Sequence, residues 1–102
     1  MTDSNYYRKI FVCEPSHEFD GLKKYTDQIE FIATGYEDTF SLSDKISSAM
    51  RNYDPTTDAI IPVGRLMLTF LLGIYLAKQY PDRKITVGLY KDKDYTFVEA
   101  VL

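Results

Sequence analysis

The sequence predicts an α/β fold: one small domain with a mostly parallel sheet, crossover helices and a C-terminal antiparallel hairpin. Three observations carry this. Asp58 leads a short apolar run (Ala59, Ile60, Ile61, Val63), and Gly64 turns it directly into a long apolar helix opened by Arg65. Strand-like and helix-like stretches alternate through the rest of the chain, as parallel strands joined by crossovers require. Near the end, two alternating apolar/polar runs, 85–90 and 95–101, flank Lys91-Asp92-Lys93-Asp94, which is the pattern of a hairpin with a solvated tip.

The elements follow in order. Residues 9–13 (KIFVC) form a first strand, apolar on both faces, with Cys13 read as a small core residue. Residues 14–19 form a loop, because Pro15 removes a donor and disfavours helix before it. Residues 20–27 hold a short helical turn carrying Leu22 and Tyr25. Residues 29–34 (IEFIAT) form a second strand, ended by Gly35. Phe40, Leu42, Ile46, Ala49, Met50 and Tyr53 recur at helical spacing, so 42–52 is a helix, with Ser41 as N-cap and Asp44 completing an acidic capping box. After a turn at 54–58 come the third strand and the long helix, which Pro81 stops. Phe11, Phe31, Ile32, Ile60, Ile61, Phe70, Leu71 and Val87 are the expected core.

Composition narrows the functional classes. The chain has 102 residues, 45% hydrophobic and 26% charged, enough for one self-sufficient core over 1–102 with a polar, flexible tail at 1–5. A net charge of −3 argues against direct nucleic-acid binding, which needs a basic face. One cysteine excludes an internal disulfide and fits a reducing, cytoplasmic setting. Pro62, Gly64 and Arg65 interrupt the apolar run of the third strand and helix, leaving it short of the ~20 residues a membrane span needs. One histidine and one cysteine cannot close a metal site, and no phosphate-loop pattern is present, so no metal or cofactor is expected.

Several of these features occur together: the loop from Glu14 through Pro15 and Ser16 to His17, a strand ending in Thr34-Gly35, an Asp58-led strand running into Val63-Gly64, and the closing hairpin. In this the chain resembles small α/β accessory proteins of bacteriophages. The resemblance implies a phage-type accessory protein of the host-cell cytoplasm and brings no assigned chemistry.

Candidate chemistry lies at the carboxyl edge of the sheet, where parallel strands all end and α/β folds bind ligands. That edge gathers Glu14, Ser16 and His17 after the first strand, Thr34, Gly35 and Tyr36 after the second, and Gly64 and Arg65 after the third. Two glycines, a helix N-terminus and an arginine make an anion cradle, with His17, Glu14 and Ser16 to orient a polar ligand. Each residue also has a plain structural role to play, Gly64 as a turn glycine above all. The long helix carries a second signal. Leu66, Met67, Leu68, Phe70, Leu71, Leu72, Ile74, Tyr75, Leu76 and Tyr80 cover more than one face, which suggests a homo-oligomer joined through 66–80, with Gly73 where another backbone approaches. Three readings stand: a non-enzymatic inhibitor or modulator that binds a host protein; a binder of a small anionic, nucleotide-like ligand; and a small enzyme using His17 and Glu14 as acid and base.

Overall fold

The computed structural model describes residues 6–16 and 18–102 and shows an α/β domain built on a five-stranded mixed sheet. The strands are β1 (Lys9–Val12), β2 (Ile29–Phe31), β3 (Asp58–Ile61), β4 (Lys84–Lys91) and β5 (Asp94–Val101), in the spatial order β2-β1-β3-β4-β5. β1 pairs parallel with both β2 and β3, and β3 pairs parallel with β4; only the β4–β5 hairpin is antiparallel. Helix α1 (Leu42–Ala49) returns the chain from β2 across β1 to β3, and α2 (Leu66–Gln79) joins β3 to β4.

The two faces of the sheet are covered differently. Alternation along β1 and β3 sends Phe11, Cys13 and Ile60 to one side, where Leu42, Ile46 and Met50 and then Leu68, Leu72 and Leu76 pack on them. Ile10, Val12, Ala59 and Ile61 point the other way, onto Phe19 and Leu22 from the connection between β1 and β2 and onto Tyr95 of β5. Both helices therefore lie on one face, and a 3₁₀ turn at Asp20–Lys24 serves the other. The hairpin turns through Asp92 and Lys93, both left-handed (φ 54° and 68°), as a two-residue turn demands. Its tip is tied down rather than merely solvated: the Asp94 carboxylate accepts from Lys24 Nζ (2.9 Å) and Tyr25 Oη (3.0 Å).

Four sequence expectations need correction. Phe31 is 41% exposed because β2 is an edge strand, and its ring leans on Phe19. Phe70 is 65% exposed because α2 buries the line Leu68, Leu72, Leu76 and turns Phe70 away from it. Leu71 and Val87 are only partly buried. The N-terminal cap of the first helical run is Asp38, whose Oδ1 accepts from the Ser41 N–H (3.1 Å); Ser41 itself already has helical backbone and makes no side-chain cap.

Candidate functional site

The strand order reverses between β1 and β3, so their carboxyl ends sit side by side and form the switch point of the sheet. Glu14 follows β1 there, and Gly64 and Arg65 follow β3. Gly64 is left-handed (φ 105°), and a Cβ on it would overlap the Glu14 carboxylate and come within 2.8 Å of the Glu14 Cβ. That close approach lets Glu14, itself 5% exposed, reach the start of α2. Arg65 is the N-cap of α2, with extended backbone. Its N–H donates to Glu14 Oε1 (2.7 Å) and its Nε to Oε2 (2.8 Å). Its Nη2 lies 2.7 Å from the same Oε2, but out of line for a hydrogen bond.

The second strand joins through a residue that the sequence reading passed over. Glu37 folds its carboxylate back over the turn after β2, accepting from the N–H of Thr34 (2.9 Å), the N–H of Gly35 (3.1 Å) and the Thr34 hydroxyl (3.0 Å). Arg65 Nη1 donates to the Glu37 carbonyl (2.6 Å), and Nη2 stands 3.5 Å from the Glu37 carboxylate. Lys45 of α1 lies 3.9 Å from the other oxygen. The Thr34 N–H, with its neighbours, holds the Glu37 carboxyl far below its usual range, at about 2, against the opposing effect of burial. Thr34-Gly35-Tyr36-Glu37 fits the Ser/Thr-x-x-Glu pattern in which the acid reaches back to the first N–H, and this was the available signal.

The structure thus brings Glu14, Gly64 and Arg65 together and links Thr34 and Gly35 to them through Glu37. Ser16 is exposed at the rim, its N–H bonded to the Glu14 carbonyl (2.9 Å), and His17 lies outside the described residues. Both places where backbone N–H groups receive an anion are already filled, one by Glu14 and one by Glu37. Two carboxylates face Arg65 and Lys45, so the edge is close to charge-balanced within itself. Two concavities of about 390 Å³ lie elsewhere, one lined by Thr56, Arg83, Lys84 and Glu99, the other by Phe19, Ile29 and Phe31. Cys13 is buried, and burial pushes its thiol up to about 11, which keeps it protonated and unreactive at neutral pH. Among the described residues, no three metal-ligating side chains converge, and no helix is long and apolar enough to cross a membrane.

Large apolar side chains also stand exposed on the segments that this polar clamp joins. Tyr36 (95% exposed) and Phe40 (97%) stand on the loop that Arg65 holds through Glu37, while Leu66 (88%) and Phe70 (65%) run from Arg65 down the outer face of α2. Met67 (46%) and Ile74 (41%) continue the stripe. No protein-family model matches the chain, and neither does any curated protein or solved structure.

Proposed function

We propose that this chain is a non-enzymatic binding protein that modulates a partner protein by docking through the Tyr36, Phe40, Leu66 and Phe70 surface. In the phage setting that the sequence resemblance implies, the partner is a protein of the host. The observation that supports the reading is the size of that surface. At about 200 Å² for each fully exposed large residue, Tyr36, Phe40, Leu66, Met67, Phe70 and Ile74 together leave roughly 850 Å² in water, backbone and the Tyr36 hydroxyl included, spread over the 36–40 loop and the outer face of α2. A monomer ordinarily tolerates apolar patches of about 300–600 Å², and one side of a stable protein interface buries about 800 Å². Exposed aromatic side chains are enriched at protein interfaces, where charged residues belong to the rim.

The two other readings lose ground on the geometry of the edge. An incoming anion must displace Glu14 or Glu37 from the backbone N–H groups it would use, and must do so against their ion pairs. An acid–base role for Glu14 requires a carboxylate free to exchange protons with a substrate, whereas both its oxygens are engaged by Arg65.

The test is a capture experiment from host lysate with wild type, Leu66→Asp and Phe40→Asp, followed by hydrogen-exchange mapping of the reconstituted complex. The expected result is a partner held by wild type, lost at least tenfold by each variant, and protecting residues 36–40 and 66–74. Equal retention by both variants, or protection confined to other segments, defeats the proposal. A second copy of the chain protecting 66–74 would instead make the stripe a self-association surface.

A further inference from the structure

The sheet has two edges, and they are treated differently. β2, at one edge, is only three residues long, which blunts it as a template for another strand. β5, at the other, has eight residues, DYTFVEAV, with no proline, glycine or lysine to interrupt pairing. Which of its backbone groups face outward follows from the hairpin. The Leu102 N–H donates to the Arg83 carbonyl (2.9 Å), so in the observed register the pairs Ala100–Ile85, Val98–Val87 and Thr96–Leu89 bond inward to β4. Tyr95, Phe97, Glu99 and Val101 then turn their N–H and C=O groups to the open side. The Tyr95 N–H is taken by the Asp94 carboxylate (2.8 Å). Among the described residues, β5 pairs with β4 alone.

We propose that this edge pairs antiparallel with the same edge of a second copy, about a twofold axis through Val98, joining two five-stranded sheets into one. The choice of a second copy rests on self-complementarity, and the choice of register on charge and donors. With the axis at Val98, Phe97 of each copy faces Glu99 of the other and they exchange both backbone bonds. Val101 N–H meets the Tyr95 carbonyl, which needs nothing from the occupied Tyr95 N–H. Moving the axis to Glu99 sets two carboxylates against each other, which is destabilising for a directly opposed pair. Moving it to Phe97 loses the same Tyr95 donor and in addition sets Val101 opposite Lys93 of the turn, so fewer backbone bonds form. In the Val98 register the two valines form a non-hydrogen-bonded pair, the closest kind, with Cα atoms about 4.5 Å apart. Val98 is 44% exposed and Leu89 beside it on the same face is 49% exposed, so pairing also covers apolar surface. This inference does not depend on the docking surface: an axis normal to the sheet leaves both copies of Tyr36, Phe40 and Leu66 free, on the same side of the joined sheet, so the dimer presents two docking faces.

The experiment is sedimentation of the full chain through the micromolar range, together with cysteine cross-linking. Wild type is expected to sediment at twice 11.8 kDa. Under mild oxidation, Val98→Cys should form an intermolecular disulfide at least tenfold faster than Val101→Cys. The Val98 pair falls within the Cα separation a disulfide spans, whereas the two 101 positions lie about 20 Å apart in this register. Cys13 stays silent because it is buried. Glu99→Pro removes an outward donor without touching a bond to β4, and Val98→Asp puts two carboxylates at the axis; both should be monomers that retain the wild-type circular dichroism. A wild-type monomer throughout that range, or equal cross-linking at 98 and 101, overturns the proposal. So does association that survives Glu99→Pro and Val98→Asp but is lost in Leu66→Asp, which would place the contact on α2.

Discussion

Removing the Arg65 side chain tests whether the carboxyl edge is a fastener or a ligand site. Arg65 grips both oxygens of Glu14 and the carbonyl of Glu37, so it ties together the segments that follow β1, β2 and β3. In Arg65→Ala the backbone N–H at that position still reaches Glu14, but the guanidinium is gone and a carboxylate with 6% of its side chain exposed loses its counter-charge. Breaking a buried pair in this way costs about 3–5 kcal/mol. Arg65 is itself 32% exposed, so water screens part of the interaction, and about 2–4 kcal/mol is the expected loss. In a domain of this size each kcal/mol moves Tm by about 4–8 °C, so melting should fall by roughly 8–30 °C. Urea titrations of wild type, Arg65→Ala, Glu14→Gln and the double variant form a cycle in which the two single losses should fail to add by at least about 1 kcal/mol. A loss below about 1 kcal/mol with an additive double variant would refute the fastener. It would return Arg65 to the role of a free cation awaiting an anion, for which affinity falls and stability does not.

Two further outcomes follow from the same geometry. Gly64→Ala should cost about 2–5 kcal/mol, from left-handed strain at φ 105° and overlap with Glu14, whereas Gly73→Ala, with nothing within 4 Å of its Cβ, should gain about 0.5–1 kcal/mol; parallel urea titrations check the opposite signs, and matching signs contradict the placement of either residue. For Glu37 the folded pKa of about 2 lies below the ordinary 4.5, so its contribution is fully present above the ordinary value and is lost as pH falls through the folded one. The stability gap between wild type and Glu37→Gln should therefore be constant near neutrality and close between about pH 4.5 and 2; a gap independent of pH across that window rules out the backbone-bound carboxylate.

Much of this fold was legible because strand and helix periods differ and because Gly64 marks their junction. The mostly parallel sheet, the C-terminal hairpin and the approach of Glu14, Gly64 and Arg65 follow from that reading, whereas the strand order does not. What was not legible has a physical cause in each case. A helix that is apolar nearly all round carries no period from which to choose a buried line, so the expected core names Phe70 and Leu71, whereas the buried line is Leu68, Leu72 and Leu76. Strand length does not reveal strand position, so nothing in the residues around Phe31 distinguishes an edge strand from a central one. Asp38 displaced Ser41 as the cap because the chain enters the helix through a 3₁₀ turn three residues earlier. The site residues were identified by type, but their mutual attraction was left out: acid and base brought to one edge satisfy each other before they satisfy a ligand.

That mutual satisfaction fills the edge from within. In an α/β sheet the switch point ordinarily offers unfilled backbone donors, and a ligand supplies the negative charge. Here Glu14 and Glu37 supply it from within, and Arg65 closes the gap between them. On the docking reading proposed above, these contacts restrain the loop carrying Tyr36 and Phe40 ahead of a partner's arrival. Pre-ordering matters for a docking surface, since each rotamer-rich side chain or loop immobilised on binding subtracts from affinity. On that docking reading, the polar residues at this edge and the exposed aromatic residues beside them would act together: the ion pairs restrain the backbone, and that backbone presents the apolar contacts.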